Sequence, residues 1–228
     1  MLLLAIDTAT SAITVALFED DVLAEESIVD ARRHTEELAP AIARALASAH
    51  REIGEVTDIA VGTGPGPFTG LRVGLVTAMT MAHALGIPVH GVCSLDALAQ
   101  TYLDAGGTGE FVVATDARRK EVYWARYAAA ASGELVAQTE PAVDRPGELP
   151  ASVTALPVVG RGGRMYAQWL PHAVGPLDVS AASLARLAAG RVARGLAMPI
   201  TPRYLRRPDA LAPGVPKSTL LPAPGVRR

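Results

Sequence analysis

Cysteine, lysine and aromatic side chains are scarce in this chain of 228 residues. Its one cysteine, Cys93, has no intramolecular disulfide partner, which fits a reducing, cytoplasmic setting. Lysine occurs only as Lys120 and Lys217 while arginine is plentiful; with the alanine excess, this reads as codon bias in a GC-rich genome rather than a binding signal. Aromatics make up 4% of the chain, so alanine, valine and leucine must fill the core. Neither sign of charge dominates, and a net charge of −2 supplies no overall field to draw the chain to nucleic acid. No apolar run approaches the ~20 residues of a membrane-spanning helix. The opening MLLLAID is short, lacks a basic flank and runs straight into Asp7, unlike a secretion signal. The expectation is a cytoplasmic protein without a membrane partner. Half of the chain is hydrophobic, enough to build a sizeable core.

The first thirty residues read as three strands, LLLAID, AITVALF and VLAEESIV, with the polar turn DTATS between the first two. From Thr35 to about His50, Leu38, Ile42 and Leu46 recur every four residues, predicting a helix with Glu36 and Glu37 at its positive end and Pro40 near its start. VTDIAVGTG is a strand entering a glycine-rich loop. A helix from about Thr69 to Leu85, the strand GIPVHGV and the helix SLDALAQTYL follow, the last with Ser94 as its N-cap. DAGGTGE, residues 104 to 110, is the clearest internal punctuation. Beyond it come FVVATDAR, a turn at Arg119 and Lys120, EVYWARYAA, ELVAQT and ALPVVG, then helix-like segments near 164–170 and 180–197. The expected organisation is a domain over 1–106, a smaller one over 107–200, and a Pro/Arg-rich tail over 201–228, disordered beyond about Pro208. Both halves open with an apolar strand ending in Asp, a tight turn and a second strand. This weak repeat points to a duplicated α/β unit with a cleft between its copies.

The stretch VGTGPGPFTGLRVGL, residues 61 to 75, has the look of a phosphate cradle: a strand, a glycine turn, then a helix. It matches neither GxxxxGK[ST] nor GxGxxG, and Pro65 and Pro67 each delete an N–H donor. The helix that follows carries Gly70, Gly74, Ala78 and Ala82 at four-residue spacing, a stripe without bulk that invites close helix packing. Its expected partner is the helix at 35–50, another subunit, or both. On that reading Gly74→Leu abolishes partner binding and leaves the isolated fold largely intact. Arg72, one turn in, is either a solvated charge or an ion-pair partner of Glu36 or Glu37.

The five histidines, His34, His50, His83, His90 and His172, form no HExxH or HxxxH pair, and Cys93 has no companion at metal-ligand spacing. Asp7 and Asp116, each ending a strand, stand out among the carboxylates. They either face the cleft, where such aspartates hold Mg²⁺ or orient water, or simply cap turns.

LAIDTATSAITVAL, HTEELAPAI, GTGPGPFTGLRVGL, DARRKEVYWARY and PRYLR together resemble the bacterial TsaB family, once called YeaZ, from Leu2 to about Arg206. The resemblance implies two ribonuclease-H-like domains of the actin, sugar-kinase and Hsp70 class. It also implies a non-catalytic dimerization subunit of the machinery that makes N6-threonylcarbamoyladenosine on tRNA, with no cofactor of its own. In the catalytic TsaD-type paralogue a histidine pair on the corresponding helix binds metal, whereas here His34 is followed at that spacing by Leu38. DTATS resembles the superfamily's first phosphate loop and TDAR the second. Asp7, Thr8, Thr10, Ser11, Asp116 and Arg118 would then be a vestigial nucleotide cleft, with Arg118 where a glycine is usual. The implied dimer surface comprises His34, Glu37, Leu38, Ala41 and Ile42 on one helix, and Phe68, Thr69, Gly70, Arg72, Val73, Gly74, Thr77 and Ala78 on the other. It would serve a homodimer when the chain is alone, a heterodimer with a TsaD-type subunit otherwise, and help form the docking site of a TsaE-type ATPase. tRNA would be met only through the complex. Two competing readings are an ATPase or small-molecule kinase using Asp7 and Asp116, and direct tRNA binding through Arg203, Arg206, Arg207, Arg227 and Arg228.

Overall fold

The computed structural model describes residues 1–30 and 32–206. Arg207, Arg227, Arg228 and the segment expected to be disordered beyond Pro208 lie outside the described residues.

The first sheet is built from β1 (Leu3–Asp7), β2 (Ala12–Phe18), β3 (Val22–Val29), β4 (Asp58–Gly62) and β5 (Val89–Val92), in the order β3-β2-β1-β4-β5. The first three strands form an antiparallel meander, and β4 and β5 run parallel to β1. Helix α1 (His34–Ser48) connects β3 to β4, and α2 (Phe68–Leu85) connects β4 to β5. Both cover the same face, where Leu4, Ile6, Ile13, Val15, Leu38, Ile42, Leu71 and Leu75 make one core cluster. Pro40 falls in the second turn of α1 and is exposed.

The second half repeats the plan. After α3 (Ser94–Asp104) come β6 (Glu110–Asp116), β7 (Val122–Ala129), β8 (Leu135–Ala137), β9 (Ala142–Asp144), α4 (Ala151–Thr154), β10 (Val158–Val159), α5 (Arg161–Met165), β11 (Ala173–Val174) and α6 (Ala181–Ala193). Its sheet order, β8-β7-β6-β10-β11 with β9 off β7, carries the same antiparallel and parallel pairings as the first. Asp7 and Asp116 occupy equivalent places, each the last residue of the strand that opens its half. This is the duplicated α/β architecture of two ribonuclease-H-like units.

α3 and α6 form a layer between the two sheets. Leu95, Leu98, Leu184 and Ala188 share a core with Leu3 and Phe18 of the first sheet and Phe111 and Tyr127 of the second. α6, from the second half of the sequence, is fastened to the first sheet. Glu25 of β3 accepts from the Ser180 hydroxyl at 2.7 Å and from Ala182 N at 3.2 Å, a carboxylate at the positive end of a helix. α6 stops at Ala193, short of 197, where Gly195 takes φ +65°. The helix-like segment expected near 164–170 starts earlier, at Arg161 with RGGR, and ends at Met165. Ser94 is also not the N-cap of α3. Cys93 takes that place, and the Ser94 hydroxyl is engaged elsewhere.

The glycine stripe of α2 faces inward. A Cβ at Gly70 would lie 2.7 Å from Thr8 O, and one at Gly74 would lie 2.5 Å from Thr8 Oγ1. The stripe therefore admits the chain's own β1–β2 turn and is not presented to another subunit. The reason is a hydrogen-bond exchange. Thr8 Oγ1 accepts from Gly74 N at 3.0 Å and donates to Gly70 O at 2.8 Å, so the hydroxyl bridges two groups that a regular helix joins to each other. Gly74→Leu would accordingly damage this domain's own packing, contrary to the expectation from sequence. The preceding loop follows the same logic: a Cβ at Gly66 would sit 2.1 Å from Ala9 O, a backbone atom with nowhere to go. Gly66→Ala is expected to cost about 1–3 kcal/mol of unfolding free energy, as overpacking does. A urea titration checks this, and an unchanged midpoint would contradict the packing described.

Candidate functional site

Two places stand out on the surface of the first half: the cleft between the β1–β2 and β6–β7 turns, and the outer face of α1 and α2. The cleft is walled by Thr10, Ser11 and Pro67 on one side and by Thr115, Asp116, Arg118 and Arg161 on the other. It is nearly closed. The space these groups enclose, ≈ 10 Å³, is about that of one water. Arg118, which stands where the family resemblance makes a glycine usual, is one of the groups that line it. Its Nη1 lies 3.3 Å from Asp116 Oδ2, and its backbone N donates to Asp116 Oδ1 at 2.8 Å. Arg161 is held from behind by a two-pronged contact with Asp178, both bonds 2.7 Å.

Asp7 does not line the cleft. Its side chain is fully buried, with Oδ2 accepting from the Ser94 hydroxyl at 2.6 Å and Oδ1 from Ala9 N at 2.9 Å. The Ser94 hydroxyl in turn accepts from Gly64 N at 3.1 Å, tying β1, α3 and the glycine loop into one polar knot. Thr8 is likewise buried and committed to α2. Of the six residues assigned to the cleft, Thr10, Ser11, Asp116 and Arg118 meet there, while Asp7 and Thr8 turn into the core.

Burial lifts the Asp7 carboxyl from its ordinary 3.8 to about 6, against the lowering pull of the Ser94 and Ala9 hydrogen bonds and of His34. His34, itself buried, places Nε2 3.1 Å from Thr10 O. Between pH 3.8 and about 6 the folded chain thus keeps a proton on Asp7 that the unfolded chain has already released. The stabilisation from that proton is complete below 3.8 and fades as pH rises through about 6, by about 3 kcal/mol in all. Asp7→Asn is expected to lose less stability than the wild type between about pH 4 and 7. Urea titrations across that range check it; equal losses in both proteins would contradict the upward shift that burial gives the Asp7 carboxyl.

The outer face of α1 and α2 is open and apolar. A groove of ≈ 480 Å³ runs between the helices, lined by Thr35, Leu38 and Ala39 of α1 and by Phe68, Thr69, Arg72, Val73, Val76 and Thr77 of α2. Phe68, Val76 and Met79 are 39%, 59% and 48% exposed, an unusual concentration of apolar surface in a chain so poor in large side chains. Of the residues assigned to a dimer surface, Leu38, Phe68, Thr69, Arg72, Val73 and Thr77 line this groove. His34, Ala41, Ile42, Gly70, Gly74 and Ala78 are buried in their own domain, and Glu37 pairs with Arg33 on the flank. Arg72 meets neither Glu36 nor Glu37. Its guanidinium lies 3.5 Å over the Phe68 ring, and its Nε donates to the Tyr204 hydroxyl at 3.2 Å. Sequence reasoning missed Thr35, Ala39, Val76 and Tyr204. The first three are ordinary positions on an amphipathic helix, and Tyr204 had only the PRYLR motif to flag it.

A model of the family described as "TsaD: tRNA N6-adenosine threonylcarbamoyltransferase" matches residues 21–208. The solved structure "YeaZ from Pseudomonas aeruginosa" is 32% identical, covers 90% of this chain and 99% of that one, and superposes with a TM-score of 0.78. The chain belongs to the TsaB/YeaZ family. An uncharacterized Mycobacterium leprae protein is 44% identical over 214 residues, which is 92% of this chain but 56% of that protein. The "tRNA threonylcarbamoyladenosine biosynthesis protein TsaB" of Escherichia coli K12 is 37% identical over 127 residues, 56% of this chain and 55% of that protein. The chain thus spans just over half the length of these two curated relatives. Among the described residues, no helix is long and apolar enough to cross a membrane, and no group of three or more His, Cys, Asp or Glu is placed to hold a metal.

Proposed function

We propose that this chain takes part in making N6-threonylcarbamoyladenosine on tRNA, as a non-catalytic subunit that docks through the α1/α2 groove. The observation that carries this reading is the contrast between the two surfaces. The groove offers Phe68, Val73 and Val76 to a partner, whereas the cleft is closed to about one water and the Asp7 carboxylate is sealed beneath it. The relatives add the process: the E. coli protein bears the name of threonylcarbamoyladenosine biosynthesis. Two copies of the groove can face each other across a two-fold axis, each filling the other, which gives a homodimer for the chain alone. A TsaD-type paralogue offering the same pair of helices would replace one copy, forming a heterodimer in which the paralogue performs the transfer to tRNA. A TsaE-type ATPase would bind where the two subunits meet. tRNA is handled by that assembly rather than by this chain, whose net charge is −2.

Light scattering on a sizing column tests the proposal, with the chain alone and mixed with its cognate TsaD-type subunit. A homodimer that gives way to a one-to-one heterodimer is expected. Val76→Glu, which places a charge on an exposed groove residue, is expected to weaken both associations by at least about tenfold while leaving the unfolding midpoint unchanged. A wild-type chain that stays monomeric and ignores the TsaD-type subunit would remove the groove as a docking surface.

A further inference from the structure

Residues 196–206 follow α6 as a strap without regular secondary structure that touches three parts of the molecule in turn. It first lies along the edge of β5, where Met198 O accepts from Gly91 N at 2.9 Å. It next crosses the start of the glycine loop, where Arg203 N donates to Thr63 O at 2.8 Å. Tyr204 then reaches the end of the groove. Its ring centroid is 5.2 Å from that of Phe68, and its hydroxyl accepts from Arg72 Nε. Two residues later, Arg206 arrives at the second sheet.

There Arg206 closes the β6–β7 turn from both sides. One guanidinium nitrogen donates to Ala117 O at 2.9 Å, at the entry of the turn, and another meets the Glu121 carboxylate at its exit. The turn it closes is conformationally costly. Arg118, Arg119 and Lys120 take φ of +62°, +52° and +64°, three successive non-glycine residues in the left-handed region. Such a run persists only where neighbouring contacts fix it. The contacts that hold it include the turn bonds Ala117 N to Glu121 O at 3.0 Å and Glu121 N to Arg118 O at 2.9 Å, the Asp116 carboxylate, and Arg206. The same turn carries Asp116 and Arg118, which close the cleft.

We propose that the strap couples the docking groove to the cleft: a partner seated on the α1/α2 groove holds Tyr204, Tyr204 holds Arg206, and Arg206 keeps the 117–121 turn and the cleft closed. This rests on the docking reading above. Tyr204 is 41% exposed at the groove's end, so a partner covering Phe68 and Arg72 covers Tyr204 as well. The strap is the two-state element, docked or lifted, and both ends bias it. By reciprocity, an intact Arg206 clamp strengthens partner binding by the same factor by which the partner strengthens the clamp.

Lysine-specific proteolysis of the full chain reads the clamp directly, because Lys120, at the tip of the turn, and Lys217 are its only two targets and give products of different mass. Arg206→Ala is expected to speed cleavage after Lys120 by roughly tenfold, and Tyr204→Ala by a comparable factor although Tyr204 does not touch the turn. Tyr204→Phe and Arg206→Lys, which keep the ring contact and the charge respectively, are expected to fall between wild type and the alanine variants, and they carry the test if an alanine variant fails to fold. Addition of the TsaD-type subunit is expected to slow cleavage after Lys120 in the wild type, and Arg206→Ala to weaken its binding several-fold. Fast cleavage in Arg206→Ala with wild-type cleavage in both Tyr204 variants would overturn the coupling. So would a bound partner that leaves the Lys120 rate unchanged. Failure of the docking reading shows itself separately, as a wild-type chain whose light scattering does not change when the TsaD-type subunit is added.

Discussion

The Thr8 hydroxyl, lodged between Gly70 O and Gly74 N of α2, fixes how the first half of this protein is put together. It brings the turn after β1 into contact with the helix backbone, and no side chain at positions 70 or 74 would leave it room. Gly66 admits Ala9 of the same turn, and the Asp7 carboxylate is bound in the knot of Ser94 and Gly64 just beneath. A loop and helix that look like a phosphate cradle are thus shaped around a piece of the chain's own backbone. The donors that a phosphate would use are missing at Pro65 and Pro67, and the close approach that glycine allows is occupied by Thr8 and Ala9.

That arrangement leaves α2 with two unlike faces. The inner one carries small residues and leucines and is spent on the turn and the sheet. The outer one carries Phe68, Val76 and Met79 exposed beside Leu38 and Val73, and it is the face proposed to meet a partner. A helix buried on one side and apolar on the other is costly to leave in water, and partner docking removes that cost. The strap places Tyr204 at the rim of this outer face and Arg206 on the opposing domain. The proposed coupling follows from their separation by one residue in the chain.

Much of the architecture was legible in the sequence. Alternating and β-branched runs gave the strands of both meanders, the four-residue spacing of Leu38, Ile42 and Leu46 gave α1, and the paired strand-Asp-turn segments gave the duplication. The orientation of the α2 stripe was not legible, because small residues at four-residue spacing say that something comes close without saying what. Nothing local to Thr8 marks its hydroxyl as the answer, sixty-two residues away from Gly70. Asp7 and Asp116 look alike in sequence, yet one is sealed and the other lines the cleft, since Ser94 and Gly62 cover only the first. Arg72 could be assigned to Glu36 or Glu37 by charge alone; its actual partners, Phe68 and Tyr204, depend on where the strap returns, and long-range returns have no periodic signature.

The measurement that bears most directly on this account is a double-mutant cycle between Thr8 and Gly74, read by urea unfolding. Gly74→Ala in the wild type forces a Cβ to 2.5 Å from Thr8 Oγ1 and is predicted to destabilise, although alanine favours helix. In a Thr8→Ala background the obstructing oxygen is gone, and the same Gly74→Ala change is predicted to be neutral or stabilising. The difference is a coupling of about 1–3 kcal/mol between the two positions. If Gly74→Ala has the same effect in both backgrounds, Thr8 is not what the stripe accommodates, and the inward assignment of that face is wrong.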